Sequence, residues 1–270
     1  MNIENLKHEL SFIIEMVKHA GKLLSSESML TSGPRGFRDK AEIDVVIEEC
    51  LREVLVGTYQ FDWCGEETGH SLTGNPWCWV VDPNDGTSDF LRGLKGSAVS
   101  VGLLHELQPV LGVVYTPVLP SGSSDCISWA FGMDHLLRNE SPIVVDLLDQ
   151  RLSEESQVMV SAAAVDKPEI NTELCAPGQF HAMTSIAYRL ARVAAGDGVC
   201  AVSLYPVSAH DVVAGHALLQ GAKGVLVGQD GAPIRYTTEG LKRPVSGRVF
   251  GGAPRACTDL ARRDWRKVFE

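Results

Sequence analysis

Basic charge is scarce in this chain and long apolar runs are missing. Of 270 residues, 24 are Lys or Arg against 34 Asp or Glu, a formal net charge of −10. A general nucleic-acid binder carries a basic face to meet phosphates, so that class is excluded. No stretch approaches the ~20 consecutive apolar residues that span a bilayer, so no membrane partner is expected. The amino-terminal segment breaks its apolar residues with acids and bases and has no secretory h-region. The seven cysteines are scattered without a C-x-x-C pair, which suggests neither a zinc site nor a disulfide framework. Reduced thiols in a cytoplasmic protein are the expectation. Ser/His/Asp and Cys/His nucleophile motifs, internal repeats and low-complexity tracts are missing as well.

What is present is an ordinary globular composition, 44% hydrophobic and 21% charged, in a chain long enough for a substantial core. Residues 3–26 place apolar side chains at i, i+3, i+4 spacing and predict an amphipathic helix. Residues 31–40, rich in Gly, Pro and Arg, read as a mobile loop, and a second helix follows over 41–57. "PWCWVVDP" reads as a buried strand that ends at Pro83. Two strands joined near "HELQ" come next, then a polar excursion of hairpins or loops. Beyond residue 150 the spacing predicts strands at 157–163 and 198–204, helices at 184–196 and 209–224, and a hairpin over 224–236. Strands and helices interleave, so the chain reads as an α/β protein, a layered sandwich with halves at about 1–150 and 151–270.

"WVVDPNDGTSDFLRG" (79–93) puts Asp82, Asp85 and Asp89 where a buried strand ends. Like charges at close range repel, and burying one unpaired costs several kcal/mol, so a positive partner is expected. Asp82 and Asp85 at i and i+3 can point at one small volume, and clustered hard oxygen ligands suit Mg²⁺, Mn²⁺ or Ca²⁺ better than zinc. "GTSDF" then opens a helix whose free N–H groups suit phosphate. Taken alone, D-P-x-D-G is also ordinary turn chemistry.

With "GEET" (65–68) before it and "HDVVAG" (210–215) after it, the segment resembles the inositol monophosphatase family of metal-dependent sugar phosphatases. That family shows G-E-E, D-P-I/L-D-G-T and W-D-x-A-A-G in the same order. The resemblance implies the α-β-α-β-α sandwich with mixed sheets, and a metal-dependent phosphoric monoester hydrolase. It makes Glu66, Asp82, Asp85 and Asp211 metal ligands, with Asn84 ligating through its backbone carbonyl, for two or three Mg²⁺ per site (Mn²⁺ is an alternative). It gives phosphate binding to Gly86 and Thr87. Asp44 is paired with the Thr87 hydroxyl to orient the attacking water, Glu66 sits at a more weakly held ion, and Glu67 shapes its turn. Alone, Asp44 in "AEIDVVIEE" would read as a solvated helix residue. A homodimer is likewise implied by the resemblance only.

The chain departs from the family at several places. His210 replaces the tryptophan before Asp211, for packing or to face substrate. Leu204 stands where inositol-specific members carry a glutamate that contacts sugar hydroxyls, and a leucine offers a polyol no hydrogen bond. Ala41, Asp89 and Lys223-Gly224 also differ from the usual residues. Thr184 and Ser185 can meet substrate hydroxyls or cap a helix, and Arg35, Arg38 and Lys40 can close over an anionic substrate or remain solvated. The expectation is a Mg²⁺-dependent phosphatase acting on a small phosphate monoester, an inositol phosphate or other sugar or polyol phosphate. The rivals are a 3′(2′),5′-bisphosphate nucleotidase and a non-catalytic protein that keeps the fold.

Overall fold

A computed structural model describes residues 3–270. The first helix, α1 (Leu6–Ser28), buries the expected stripe of Leu6, Leu10, Ile13, Val17, Ala20 and Leu24. Residues 31–40 are more ordered than their composition suggests. β1 (Gly36–Phe37) and β2 (Lys40–Ala41) pair as a small antiparallel ribbon around Arg38, at φ 61°. Helix α2 (Glu42–Tyr59) follows and stops at Gln60, which takes the left-handed conformation of a helix C-terminus.

β3 (Asp62–Gly65), β4 (His70–Ser71) and β5 (Trp77–Asp85) lead to the short helix α3 (Thr87–Leu91). Five antiparallel strands come next: β6 (Ala98–His105), β7 (Gln108–Thr116), β8 (Asp125–Ala130), β9 (Leu136–Arg138) and β10 (Ser141–Ile143). These strands and β3–β5 form an eight-stranded sheet in the order β10-β9-β8-β7-β6-β5-β3-β4.

The rest of the chain runs β11 (Gln157–Ser161), α4 (Pro168–Cys175), β12 (Gln179–Met183), α5 (Ile186–Ala194), β13 (Cys200–Ser203), α6 (Ala209–Gly221), β14 (Val225–Gly228), β15 (Val249–Gly252) and α7 (Pro254–Ala261). Its five strands order as β12-β11-β13-β15-β14, with parallel and antiparallel pairs in one sheet. The chain does turn back over 224–236, but as a short hairpin: an antiparallel bridge between Val227 and Pro233 is flanked by the Gly228 N–H donating to Ala232 O at 2.9 Å and the Ile234 N–H donating to Leu226 O at 3.0 Å. The main partner of β14 is β15, on its other edge.

Helices α1 and α2 cover one face of the large sheet, α5 and α6 lie between the two sheets, and α7 packs on β14 and β15. The layers are therefore α-β-α-β-α. Along β6, Val99, Val101 and Leu103 enter the core under α1 and α2, while Ala98 and Leu104 enter the one shared with α5 and α6.

Two details of this packing place the site. β5 does not end at Pro83. Its pairing with β3 stops at Val81, while its pairing with β6 runs on to Asp85–Ala98 across a bulge between Asp82 and Asp85. Proline is tolerated there because the β3 side of the strand is already free and a bulge needs no donor from it. Further along, Gly102 of β6 faces Gly112 of β7 in register, and together they make a trough for α6. A Cβ on Gly112 would lie 2.3 Å from Ala214 O, and one on Gly102 would lie 2.6 Å from the Val213 side chain. The helix thus rests against bare sheet backbone.

Candidate active site

Asp82 and Asp85 sit on either side of the β5 bulge, and Asp211 sits in the first turn of α6. Each offers a carboxylate oxygen, and these oxygens lie within 4.8 Å of one another. Their positions are held by backbone and hydroxyl donors. Asp82 Oδ1 accepts the Asn84 N–H at 2.9 Å, and Asp211 accepts the Ser208 N–H, the two residues forming the capping box of α6. Asp85 Oδ2 accepts the Ser185 hydroxyl and the Ala187 N–H, both from the start of α5.

No Lys or Arg makes an ion pair with any of the three among the described residues. Burial pushes the Asp85 carboxyl up to about 6, with Asp211 adding to the rise against the pull of its donors and Arg189. Burial likewise lifts Asp211 to about 6, and lifts Asp82 far above the carboxylate range with help from Glu66, Asp85 and Asp211. Glu66 is exposed as a residue at the rim of the cluster. Its carboxyl is raised to about 8, first by lost solvation and then by Asp211, Glu67 and Asp85. Three converging carboxylates of this kind could hold a divalent cation, and an all-oxygen donor set fits Mg²⁺ or Mn²⁺.

Beside the cluster lies a second, buried group. Asp44 on α2 is 1% exposed, unlike the solvated position that its helix segment taken alone suggests. Its Oδ1 accepts the Asn84 side-chain amide at 2.9 Å and its Oδ2 accepts the Thr87 hydroxyl at 3.0 Å. Thr87 Oγ1 also stands 2.8 Å from Asn84 O, so Asp44 and the carbonyl assigned to metal ligation compete for its single proton. Burial raises the Asp44 carboxyl to about 6 against the two hydrogen bonds. Gly86 links the two groups at φ +100°, a conformation that favours glycine. It is the N-cap of α3.

The remaining expected residues are placed as follows. Ser185 is not a substrate contact: it is 1% exposed, donates to Asp85 and accepts the Tyr188 N–H at 2.9 Å as the α5 N-cap. The Thr184 hydroxyl is enclosed without a protein partner. His210 Nε2 lies 3.9 Å from Asp211 Oδ2, and burial lowers its pKa against the pull of nearby carboxylates. Leu204 lines a separate cavity of about 210 Å³ with Tyr205 and Phe269. Arg35 does not reach toward a substrate, because its guanidinium forks onto Glu27 at 2.9 and 2.7 Å. Asp89 pairs with Arg92 at 3.2 Å.

Two functional residues escape the motif reading. Glu48 is fully buried, and accepts the Glu67 and Thr68 N–H groups at 2.8 and 2.7 Å as well as the Thr68 hydroxyl. It fastens the turn that carries Glu66. A Cβ on Gly65 would lie 1.9 Å from Glu48 Oε1, which explains the glycine of "GEE". Arg189, 4% exposed, donates to the carbonyls of Ser185 and Val202 and tethers α5 to β13. The signal for Glu48 is its place in an otherwise apolar stripe: α2 buries Ile43, Asp44, Ile47, Glu48, Leu51 and Leu55.

The family model of the inositol monophosphatase family matches residues 6–256. The chain is 31% identical over 122 residues to the fructose-1,6-bisphosphatase/inositol-1-monophosphatase of Aquifex aeolicus, covering 43% of this chain and 46% of that protein. It is 30% identical over 166 residues to inositol monophosphatase 2 of Solanum lycopersicum, covering 57% of each. These alignments span about half of either relative. A longer one, 28% identical over 238 residues, covers 85% of this chain and 87% of the 3'(2'),5'-bisphosphate nucleotidase CysQ of Aggregatibacter actinomycetemcomitans. The inositol monophosphatase of Anabaena superposes with a TM-score of 0.72 at 25% identity, covering 96% of this chain and 95% of that one. Motif order, layered architecture and family match coincide over nearly the whole chain, which belongs to the inositol monophosphatase family.

Proposed function

We propose that this protein is a Mg²⁺-dependent phosphatase that hydrolyses a small phosphate monoester with water as the nucleophile. The observation that carries the reading is the convergence of Asp82, Asp85 and Asp211 within 4.8 Å, beside the Gly86 turn and with no Lys or Arg ion-paired to them among the described residues. The family relationship supports the reaction class.

Asp82, Asp85 and Asp211 would hold the cation, with Glu66 at the rim. A bound divalent ion there supplies charge neutralisation for the phosphoryl oxygens and lowers the pKa of water. The chain's own residues do the positioning. Asn84 locks the Asp44 carboxylate through Oδ1, leaving Oδ2 to hold the Thr87 hydroxyl. With its proton engaged, Thr87 Oγ1 offers a lone pair to a proton of the attacking water. Asp44, raised to about 6, is largely ionised at pH 7 and is basic enough to take that proton through Thr87. The N–H groups of Gly86 and Thr87 then hold the phosphate against the site.

Phosphate release with and without Mg²⁺, across inositol 1-phosphate, adenosine 3′,5′-bisphosphate, fructose 1,6-bisphosphate and simple sugar phosphates, tests the proposal. Metal-dependent release from any of them supports it and identifies the branch. Asp85→Asn, which removes charge but not volume, is expected to lower turnover by about 100-fold or more while the fold persists. Near-normal activity of that variant would overturn the metal assignment.

A further inference from the structure

We propose that Ser100 of β6 is a positioning residue for the metal cluster, its hydroxyl donating to the Asp82 carboxylate when the cluster holds a cation; the proposal rests on the metal-dependent reading above. Asp82 and Ser100 stand opposite each other in register across β5 and β6. Both point to the side of the sheet that α5 and α6 cover, since Val81, Val99 and Val101 beside them enter the other core. The next residue of β6 on that face, Gly102, lies beneath Val213 of α6. Directly opposed residues of an antiparallel pair have Cβ atoms about 5 Å apart, so a turn about χ1 brings a serine hydroxyl within reach of the facing carboxylate.

The Ser100 hydroxyl is otherwise unexplained. The residue is fully buried, and its Oγ has no hydrogen-bond partner. A buried hydroxyl in that position costs free energy that an alanine would not. Space does not account for it, because alanine is the smaller residue and fits wherever serine does. From Ala98 to Leu104 the strand carries no other polar side chain.

Asp82 has the complementary shortage. It is buried, its Oδ1 accepts the Asn84 N–H, and its other hydrogen-bonding neighbour is the Glu66 carboxyl, a fellow ligand. Carboxylates that bind metal are ordinarily held by further hydrogen bonds that fix their orientation toward the ion. Asp85 has them, from the Ser185 hydroxyl and the Ala187 N–H. In the loaded cluster Ser100 supplies to Asp82 the hydroxyl that Ser185 supplies to Asp85. Thr116 provides the contrast. It is another buried hydroxyl without a partner, but it lies on β7 opposite Asp125, two strands from Asp82.

The test combines Mn²⁺ affinity, read from the electron-spin signal of the free ion, with melting in chelator. It compares the unaltered protein with Ser100→Ala, Ser100→Cys and Thr116→Val. In chelator, Ser100→Ala is expected to melt at the same temperature as the unaltered protein or higher, because the hydroxyl it removes has no partner there. Its Mn²⁺ binding is expected to weaken about tenfold. Ser100→Cys, a weaker donor of similar shape, should fall between, and Thr116→Val should bind Mn²⁺ normally. Affinity within twofold of the unaltered protein in both Ser100 variants overturns the assignment. So does an equal weakening in Thr116→Val, which marks a packing effect. Lower melting of Ser100→Ala in chelator also overturns it, because the hydroxyl then has a partner without the cation. Failure of the unaltered protein to bind Mn²⁺ rejects the metal reading itself, and the role of Ser100 with it.

Discussion

Glu48 shows how a site can depend on a residue that never faces it. All three of its hydrogen bonds run to the 67–68 backbone and the Thr68 hydroxyl, so it sets the path of the turn after Glu66. Glu48→Gln puts an amide N–H against one of those N–H donors, at a cost of about 1–3 kcal/mol in denaturant unfolding. The Mg²⁺ concentration for half-maximal activity is expected to rise several-fold in the same variant. Lost stability with unchanged Mg²⁺ dependence would reduce Glu48 to a purely structural role. The acidic cluster makes a second prediction. Asp82, Asp85 and Asp211 bind protons more tightly folded than in an unfolded chain, where Asp titrates near ~3.9. The metal-free native state therefore holds the extra protons of Asp85 and Asp211 between roughly pH 4 and 6, and that of Asp82 to higher pH, and its stability falls as pH rises through that range. Melting in chelator at pH 5 and 7.5 should show this fall, and saturating Mg²⁺ should abolish it; equal slopes would refute it. At this scale the motif residues are legible from spacing and family resemblance. Asp44 is legible only through that resemblance, since an acid in a helix looks solvated until its neighbours are known to be buried. Glu48 escapes the sequence reading for the same reason.

At the scale of elements, the placement of Asp211 depends on the sheet beneath α6. Gly102 and Gly112 remove the side chains that would otherwise lift the helix from β6 and β7. Gly112→Ala sets a methyl 2.3 Å from a helix carbonyl that cannot rotate away, so the helix must move. A loss of about 1–3 kcal/mol is expected. Because Asp211 is carried on the displaced helix, Mg²⁺ activation should weaken in parallel, as a metal titration of the variant would show. Unchanged melting and metal response would mean that the trough does not position the helix. Amphipathic helices such as α1 are legible because one face repeats at the helical period. The end of β5 is not, because a bulge on a strand flank already free of its neighbour accommodates Pro83 without breaking the pairing to β6. The turn after β14 is legible from its glycines, but the main ladder partner, β15, comes about 20 residues later, and local turn chemistry carries no information about that pairing.

Across the whole molecule, an ion network away from the acidic cluster also ties the large sheet to α5 and the turn after it. Arg138 of β9 forks onto Asp125 of β8 and onto Asp197 beyond α5, and Tyr188 of α5 donates to Asp125 at 2.8 Å. Asp125 is 2% exposed, so Arg138→Ala leaves a buried carboxylate with weaker partners. Because the Arg138 side chain is partly exposed, the expected cost is about 2–3 kcal/mol, below that of a fully buried pair. Urea unfolding measures it, and a loss below about 0.5 kcal/mol would show that water substitutes for the arginine. No such network can be read from the sequence, because its members lie far apart along the chain and each looks like a surface charge.

The acidic cluster itself crosses the same seam: Asp82 and Asp85 come from the first sheet, Asp211 from the helix that leads to β14, and Asp85 is gripped by the start of α5. A chain cut in the exposed turn at 153–155 would leave each fragment with an incomplete ligand set. Under the proposed function, phosphate release would then report reassembly of the pieces, which makes the acidic cluster a built-in sensor of fragment complementation.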